Sequence, residues 1–551
     1  MGTESRSFVY VKRIFLAIAA LFLLRLAFLQ VFVHGEYTAD ATEVRTIQYT
    51  TAPHRGTIYD RNGTVLAVSV DATTIYANPT EVTNVEYEAG KLASTLGGEA
   101  SEYAELLRTE DTPFVYVKRQ ADVEDADRVK QLQLDGIYFL EESRREYPNK
   151  SIGGNVIGAC DVDGNGICGL ELQYDEILRG TPGEYSAERG VNGAPIPGGV
   201  HQDVPAVDGE DIIISIDITL QDALERALEK GLEKYDEPRH GSATVMDAET
   251  GEIHAMASYP YLNPADLADS MVGSDNLTPV TQSFEPGSVF KAFSALAVLQ
   301  ENALGPNDEL FVPAELKADE YTITDAHERE DETMTFSTIL DNSSNVGISL
   351  AIDKVGFGKL SNILTALKFS EPTGIDFPGE DSGSLTEVSQ WSQIGGYNIS
   401  FGQGVTATPL QVTRAYGALA NNGVMVQPHF LIAKPQTGER PEYESEQVLH
   451  DQEAIDTLNG MLRGVVTNGT GKDAYINGYE VVGKTSTAEI AENGTYAEDR
   501  YNLCFAGFIA NSSSKLVCNV TANDVHYDRN VAGIFRDIMV EAIDLYKIVP
   551  E

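Results

Sequence analysis

The segment Pro286-Gly287-Ser288-Val289-Phe290-Lys291 combines turn residues with the start of a helical pattern. A helical pattern of apolar residues runs over residues 288–299, so Ser288 and Lys291 share one helical face. Acyl transfer through a serine needs a base within hydrogen-bond reach, and a lysine at this spacing supplies one. The Pro-Gly pair predicts a turn into the helix, where backbone N–H groups can bind a developing oxyanion.

The serine–lysine spacing is by itself a weak signal. It recurs at Ser512-Ser513-Ser514-Lys515, where the sequence predicts a hairpin turn with no helix to align the pair. Two further polar triplets follow Ser288 along the chain, Ser343-Ser344-Asn345 and Lys484-Thr485-Ser486. Found alone, each triplet is better explained as a polar loop or an exposed strand lysine, but the ordered set is far more specific.

The sequence from residue 209 onward predicts an α+β domain. Residues 212–216 form an apolar run typical of a buried strand, and residues 220–232 follow with helical spacing. Turn residues 249–252 separate two apolar stretches, which predicts a hairpin. Strands at both ends with helices between them favour an antiparallel sheet whose terminal helices pack on one face. The later elements are predicted as strands at 481–482, 504–509 and 516–520 and a helix at 533–546.

The N-terminal region predicts a membrane anchor. Residues 14–33 are almost entirely apolar, interrupted by Arg25 and one glutamine, and they are long enough to cross a bilayer as a helix. Basic residues 12–13 precede the segment and acidic residues follow it, so we expect residues 1–13 in the cytoplasm. A signal peptide cleaved near Ala39-Asp40-Ala41 is the alternative, but its apolar core is usually only about 7 to 15 residues.

Acidic residues dominate the composition. The 551 residues include 84 acidic and 39 basic side chains, which gives a formal net charge of -45. Such a surface repels phosphate backbones, so nucleic acid is excluded as a partner. Of the four cysteines, Cys504 and Cys518 are expected to be free and buried in strands, whereas bonding between Cys160 and Cys168 stays open.

Longer motifs extend along nearly the whole chain. The N-terminal part contains residues 55–63, Arg-Gly-Thr-Ile-Tyr-Asp-Arg-Asn-Gly, and Gly169-Leu170-Glu171. The C-terminal part adds Ser400-Phe401-Gly402-Gln403-Gly404 and Thr408-Pro409-Leu410-Gln411. Together with the three polar elements, these motifs resemble the class B penicillin-binding proteins, the monofunctional transpeptidases of division and elongation. β-Lactamases lack the pedestal that carries the first two motifs.

The resemblance implies an α+β architecture in three parts. We expect the transmembrane helix at residues 14–33, a strand-rich, dimerisation-like pedestal at 34–208, and a penicillin-binding transpeptidase domain at 209–551. The antiparallel sheet of that last domain would be flanked by helices. The resemblance also implies a single-pass protein of the cell membrane with its catalytic domain outside the cytoplasm.

The same resemblance implies a serine D,D-transpeptidase that cross-links peptidoglycan stem peptides and is inhibited by β-lactams. Ser288 would attack the carbonyl of the penultimate D-Ala, and Lys291 would take its proton. Ser343 and Asn345 would relay protons and hold the substrate amide. A partly desolvated lysine near other cations can have its pKa lowered into the range of a base, which agrees with this role. No metal or cofactor is required.

By resemblance, Lys484, Thr485 and Thr487 would bind the terminal carboxylate of the stem peptide. Backbone N–H groups of Ser288 and Thr487 would form the oxyanion hole. Ser486 departs from the family, which usually has glycine there. Because alternate strand residues point to opposite faces, we expect Ser486 to point back toward the protein and to be tolerated, with Ser486→Gly acylating as fast or faster. If buried, its hydroxyl needs a partner.

Two other functions remain open at this point. A D,D-carboxypeptidase would use the same serine with water as acceptor, although the pedestal favours transfer. A catalytically silent scaffold for wall synthesis is the other possibility. By resemblance, the expected partner is a multi-spanning membrane glycosyltransferase, and the sequence is compatible with division, elongation or sporulation. Arg25 either faces such a partner helix or snorkels toward the interface, and the sequence favours neither.

Two apparent motifs are set aside. Residues 478–485 match a phosphate-binding loop, but their middle is Tyr-Glu-Val-Val, which predicts a strand. Residues 161–166 resemble the start of a calcium loop, but the twelfth position is Leu172, so a turn is expected.

Overall fold

The computed structural model of the chain describes residues 6–31, 46–188, 201–236, 239–492, 495–526 and 530–551. Its residues form two compact units, Met1–His54 with Gly180–Gly209, and Arg55–Arg179 with Glu210–Glu551. The second unit contains every polar motif that the sequence singles out. The predicted domain boundaries at residues 34–208 and 209–551 stay a prediction.

The first unit contains a long apolar helix, Arg6–Val31, and a small sheet. Its three strands are antiparallel and lie in the order Thr46–Thr51, Gly183–Glu188, His201–Val204. The helix is long and apolar enough to cross a membrane, and none of the side chains of its span Phe8–Val31 is buried. It is consistent with a single-pass membrane anchor.

The predicted span at residues 14–33 coincides with the C-terminal part of this helix. Residues 32–33 and the candidate cleavage site at residues 39–41 lie outside the described residues, as do the acidic residues that follow the span. Within the helix, the Arg25 guanidinium lies 5.6 Å from the centroid of the Phe28 ring.

In the second unit, the N-terminal part is built on a mixed six-stranded sheet. Strand Val65–Ala77 is its centre and pairs with three neighbours. Those neighbours are Ile58–Tyr59, Val115–Ala121 and Ile137–Glu146, and the sheet continues through Ile212–Ile214 to Leu431–Ala433. The accompanying helices are Val85–Leu96, Ala100–Leu107, Val123–Gln131, Gly154–Ile157, Gly169–Gln173 and Asp175–Leu178, with a hairpin of Ala159–Cys160 and Gly166–Cys168.

A buried ion-pair network joins the two N-terminal motifs. Arg55 Nε lies 2.6 Å from Glu171 Oε2, and Arg55 Nη1 lies 2.6 Å from Asp175 Oδ1. Arg145 Nε reaches the other oxygen of Glu171 at 2.7 Å. Glu171 is fully buried, so losing either arginine would leave a poorly compensated charge in the interior. Gly56 is required beside it, because a Cβ there would lie 2.1 Å from the Glu210 carbonyl oxygen.

The C-terminal part is organised around an antiparallel five-stranded sheet. Its strand order is Ile253–Tyr259, His240–Asp247, Leu516–Val525, Thr495–Ala510, Glu480–Glu492. Alternate residues of strand Thr495–Ala510 enter different cores: Leu503 and Phe505 pack with the terminal helices, whereas Cys504 and Ala506 pack with the central helices. The sheet is therefore buried on both faces, and strand Glu480–Glu492 forms one edge.

Helices Ile218–Leu232 and Ala532–Tyr546 cover the first face of this sheet. The other helices are Thr278–Thr281, Lys291–Gln300, Phe336–Asp341, Asn345–Asp353, Phe357–Ala366, Gln393–Ser400, Pro409–Ala420 and Gln452–Thr467. Short antiparallel pairs connect them: Glu309–Val312 with Glu332–Thr335, Glu315–Ala318 with Tyr321–Thr324, and Val424–Val426 with Ser445–Gln447.

The predicted α+β class, with terminal helices on one face of an antiparallel sheet, is confirmed. The apparent phosphate-binding loop lies largely in strand Glu480–Glu492, so the strand prediction is also confirmed. Asp161 closes a turn by accepting hydrogen bonds from the backbone N–H groups of Asp163 and Asn165. All four cysteines are free, with Cys504 and Cys518 buried in strands as predicted.

Candidate active site

Ser288 lies where a turn passes into a buried helix. Pro286 precedes a 3-10 segment, Gly287–Phe290, and the chain continues without interruption as helix Lys291–Gln300. Proline fits this position because its fixed φ suits a helix start and its missing N–H would have no helical partner there. Ser288 is half-buried, whereas its neighbours Val289 and Phe290 are fully buried.

The turn before Ser288 is clamped from two sides. Gly287 has φ +59°, and a Cβ on it would lie 2.4 Å from Ser486 Oγ and 3.0 Å from Ala488 Cβ, both on the edge strand. On the other side, Gly287 N donates to Gly402 O at 2.9 Å, and a Cβ on Gly402 would lie 2.1 Å from Gly287 O. Both glycines are therefore needed for the close approach of three chain segments.

Lys291 projects from the first turn of the helix and is completely buried. Its Nζ donates to the carbonyl oxygen of Ser343, to Ser343 Oγ at 3.2 Å and to Asn345 Oδ1 at 2.7 Å. In the described part of the chain, the Ser288 hydroxyl is not among its hydrogen-bond acceptors. The second triplet thus fixes the position of the Lys291 amine.

Lys484 approaches the same hydroxyl from the edge strand Glu480–Glu492. Its Nζ donates to Ser343 Oγ at 2.9 Å and to the Thr485 carbonyl oxygen at 3.1 Å, and it too is completely buried. Two lysine amines from different elements therefore meet at one serine oxygen.

Burial lowers the pKa of both lysines, because each ammonium would lose its hydration shell. The pKa of Lys291 lies well below its ordinary value through burial and the nearby charge of Lys484, against an opposing attraction from Asp325. Burial lowers the pKa of Lys484 to about 7, although Asp341 opposes this shift. A substantial fraction of Lys484 is therefore neutral near pH 7.

The Ser343-Ser344-Asn345 triplet joins helices Phe336–Asp341 and Asn345–Asp353. Ser343 adopts a left-handed conformation with φ +58°, which turns the chain between the helices. Ser344 caps the second helix, since its Oγ accepts from Gly347 N at 2.8 Å. Asn345 donates its Nδ2 to the carbonyl oxygen of Thr324 at 3.1 Å, which fixes the direction of its side-chain oxygen toward Lys291.

Asp325 anchors this triplet. Its carboxylate accepts from Ser344 Oγ at 2.8 Å and from Val346 N at 3.0 Å, and it pairs with Arg329 Nε at 2.6 Å. Burial raises the pKa of Asp325, but the hydrogen bonds from Arg329, Val346 and Ser344 outweigh it and bring the pKa below the ordinary value. Asp325 is thus an anion at neutral pH, suited to hold a helix N-terminus.

The two threonines of the edge strand differ in exposure. Thr485 is buried, with its Oγ1 2.7 Å from the Oγ1 of Thr470, whereas the side chain of Thr487 is exposed. Ser486 between them is buried and points to the opposite side. The predicted alternation of side chains along this strand is therefore confirmed.

Two known protein-family domains match this chain, and one of them contains the whole cluster of site residues. The penicillin-binding protein transpeptidase domain matches residues 241–540. The chain belongs to this family. The penicillin-binding protein dimerisation domain matches residues 50–214. The combination of the two domains confirms the predicted resemblance to the class B penicillin-binding proteins.

Named relatives of this penicillin-binding protein cover most of its length. It is 30% identical to the peptidoglycan D,D-transpeptidase FtsI of Escherichia coli K12, over 93% of this chain and 87% of that protein. It is also 30% identical to stage V sporulation protein D of Bacillus subtilis, over 91% of this chain and 79% of that one. Penicillin-binding protein PbpB of Mycobacterium tuberculosis is 30% identical to this chain, over 94% of this chain and 82% of that protein.

Solved structures agree with this assignment. The structure of penicillin-binding protein 3 from Mycobacterium tuberculosis, complexed with aztreonam, covers 91% of this chain and 98% of that one, with a TM-score of 0.70 and 26% identity. The match to penicillin-binding protein 2X from Streptococcus thermophilus covers 91% of this chain and 80% of that one, with a TM-score of 0.75 and 25% identity.

The structure brings most of the predicted site residues together. Lys291, Ser343, Asn345 and Lys484 form one hydrogen-bonded cluster, and Ser288 precedes Lys291 on the same helical segment. The second serine–lysine pair is not part of this cluster, since Lys515 Nζ donates to Asn421 Oδ1 at 2.8 Å.

Sequence reasoning missed most of the groups that hold the cluster in place. Asp325 and Arg329 fix the second triplet, Thr470 contacts Thr485, and Gly402 supports the turn before Ser288. Only Gly402 carried a signal, since it lies in the motif at residues 400–404. The others lie in loops without a pattern of their own, so their roles depend on tertiary contacts.

Proposed function

We propose that the chain is a serine D,D-transpeptidase that cross-links peptidoglycan through an acyl-enzyme on Ser288. The observation that carries this proposal is the convergence of two buried, low-pKa lysines, Lys291 and Lys484, on the hydroxyl of Ser343. Neutral Lys291 takes the proton of Ser288 Oγ as it attacks the carbonyl carbon of the penultimate D-Ala of a stem peptide. The bond to the terminal D-Ala then breaks, leaving an ester on Ser288.

The leaving amine needs a proton, and the cluster can deliver one. Ser343 Oγ accepts hydrogen bonds from both lysine amines and has its own proton to donate. A proton taken from Ser288 can therefore pass from Lys291 through Ser343 to the departing D-Ala. The amine of a second stem peptide attacks the ester in the next step, and Lys291 takes its proton, restoring the Ser288 hydroxyl when the amide forms.

Substrate would lie along the edge strand Glu480–Glu492, whose outer row of backbone groups can pair with an extended peptide. In this position Lys484, Thr485 and Thr487 would bind the terminal carboxylate. Backbone N–H groups of Ser288 and Thr487 would stabilise the oxyanion. A β-lactam presents a carbonyl and a carboxylate in the same arrangement, so it would acylate Ser288 as well.

We infer the cellular arrangement from the charges around the anchor. Residues 1–13 would lie in the cytoplasm and the catalytic domain outside, where the stem peptides are. The pedestal would occupy residues 34–208 and the transpeptidase domain residues 209–551. A multi-spanning glycosyltransferase that supplies glycan strands is the expected membrane partner. If Arg25 faces that partner, Arg25→Leu keeps membrane insertion and penicillin binding but weakens co-purification with it. Unchanged co-purification would favour the snorkelling alternative.

Two measurements test the enzymatic proposal. Fluorescent penicillin should label the wild-type protein covalently, and muropeptides from cells depleted of it should contain fewer cross-linked dimers. Pentapeptides that accumulate without a loss of dimers would indicate a carboxypeptidase instead. A folded protein that penicillin does not label would indicate a scaffold.

A further inference from the structure

Ser486 makes a contact that the usual glycine of its family could not make. Its side chain is 98% buried, and its Oγ donates to the carbonyl oxygen of Pro286 at 2.7 Å. Pro286 opens the turn that leads to Ser288, so this hydrogen bond joins the edge strand to the start of the Ser288 helix.

This hydrogen bond restricts the positions of both the edge strand and the turn before Ser288. The space beneath Gly287 is filled by the Ser486 hydroxyl, since a Cβ on Gly287 would lie only 2.4 Å from that oxygen. Gly402 accepts a hydrogen bond from Gly287 N on the other side of the turn at 2.9 Å. The turn is therefore fixed on one side by a backbone hydrogen bond and on the other by the serine hydroxyl.

The two segments joined by Ser486 are those that would supply the oxyanion hole. Pro286 lies two residues before Ser288, and Ser486 lies directly before Thr487. Oxyanion stabilisation depends steeply on geometry, because the donors must already point to where the negative charge develops. We propose that Ser486 is a positioning residue that holds the Ser288 and Thr487 N–H groups at a fixed separation through its hydrogen bond to Pro286. This inference rests on the proposed function.

The hydrogen bond changes the expectation that sequence alone gives for this position. From the family pattern, Ser486 is a tolerated replacement whose conversion to glycine keeps or increases the acylation rate. Because its hydroxyl contacts the nucleophile turn, we instead expect both Ser486→Ala and Ser486→Gly to slow acylation. The effect should fall on the chemical step, since Ser486 itself faces away from the substrate side of the strand.

The experiment measures acylation of full-length protein in detergent by a fluorescent penicillin, separating the dissociation constant of the initial complex from the acylation rate constant. We expect both Ser486 variants to lower the rate constant about tenfold, with little change in the dissociation constant. Ser215→Ala is the matched control. Its hydroxyl is also fully buried and donates to a backbone carbonyl oxygen, that of Ile253, at 2.7 Å.

Ser215→Ala should lower the melting temperature by a similar amount and leave the acylation rate constant unchanged. If the rate constants of both Ser486 variants stay within about twofold of the wild type, well short of the expected loss, this inference is wrong. That result would leave the proposed function standing. An equal slowing in Ser215→Ala would also overturn the inference, since it would show a general loss of stability. A folded wild-type protein that penicillin does not acylate would overturn the proposed function, and this inference with it.

Discussion

The two serine–lysine pairs of this chain have identical spacing and different surroundings. Ser288 and Lys291 lie on one continuous helical segment, and the lysine is fully buried. Ser512 and Lys515 lie in the turn between strands Thr495–Ala510 and Leu516–Val525, where both are only half-buried. Ser512 Oγ donates to the carbonyl oxygen of Ser514 at 2.8 Å, so its proton is directed into the turn.

This difference shows that a lysine three residues after a serine does not become a base through that spacing alone. Lys291 has its pKa lowered because burial removes water and the charge of Lys484 lies nearby, and its amine is held by the triplet at residues 343–345. Lys515 is only half-buried, and its amine donates to Asn421 Oδ1. Activation of a serine therefore depends on elements far away in the sequence.

The largest expected effect comes from removing Ser288, the serine of the first pair. Ser288→Ala should abolish covalent labelling by penicillin, because Ser288 is the serine that carries the acyl group in the proposed mechanism. Ser512→Ala should leave labelling unchanged. The measurement is fluorescence of the protein band after denaturing electrophoresis. If Ser288→Ala is labelled as strongly as the wild type, Ser288 is not the nucleophile.

Removing Lys291, the lysine of the first pair, should have the next largest effect. Lys291→Met should slow acylation by about 10² to 10⁴, the usual contribution of a general base. Lys515→Met should not change the rate. For the wild type, the rate should rise with pH through a midpoint below 10.5, because Lys291 must lose its proton to act as the base. Equal rates for the two lysine variants would show that another group serves as base.

A smaller effect is expected from replacing Asp325, because Asp325 only anchors the triplet at residues 343–345 that surrounds Lys291. Asp325→Ala should slow acylation about tenfold, because Ser343 and Asn345 lose the anchor of their helix start. Asp451→Ala is the control, since Asp451 likewise accepts from a helix N-terminus, at Ala454 N, 3.0 Å away. It should lower stability by about 1 kcal/mol without slowing acylation. Slowing of both variants alike would show that Asp325 acts only through stability.

The smallest effect is a change in how stability depends on pH. Between pH about 7 and 10.5, Lys484 is mostly protonated in the unfolded chain and mostly neutral in the folded one. The unfolded state therefore binds more protons, and the free energy of unfolding rises with pH through this window. Lys484→Met should flatten the rise of the melting temperature between these pH values. Parallel curves for wild type and variant would contradict the lowered pKa of Lys484.

Much of the fold could be predicted because its elements are long and regular. Apolar runs and helical spacing placed the strand Ile212–Ile214, the helix Ile218–Leu232 and the terminal helix Ala532–Tyr546 close to their observed bounds. Burial on alternate faces imposes these periodicities on the sequence itself. The acidic loop that carries Asp325 has no periodicity, so its contact with Ser344 could not be predicted.

The sequence was enough to identify the order of the three polar motifs, the apolar segment long enough to cross a membrane, and the family, because these depend on residue type and spacing along the chain. It also determined that Ser486 points away from Thr485 and Thr487, because strand side chains alternate. The folded structure was needed to show that Lys291 and Lys484 share the Ser343 hydroxyl, and that Ser486 reaches Pro286. Those contacts join residues far apart in the chain, and burial, which lowers the lysine pKa values, is a property of the folded interior alone.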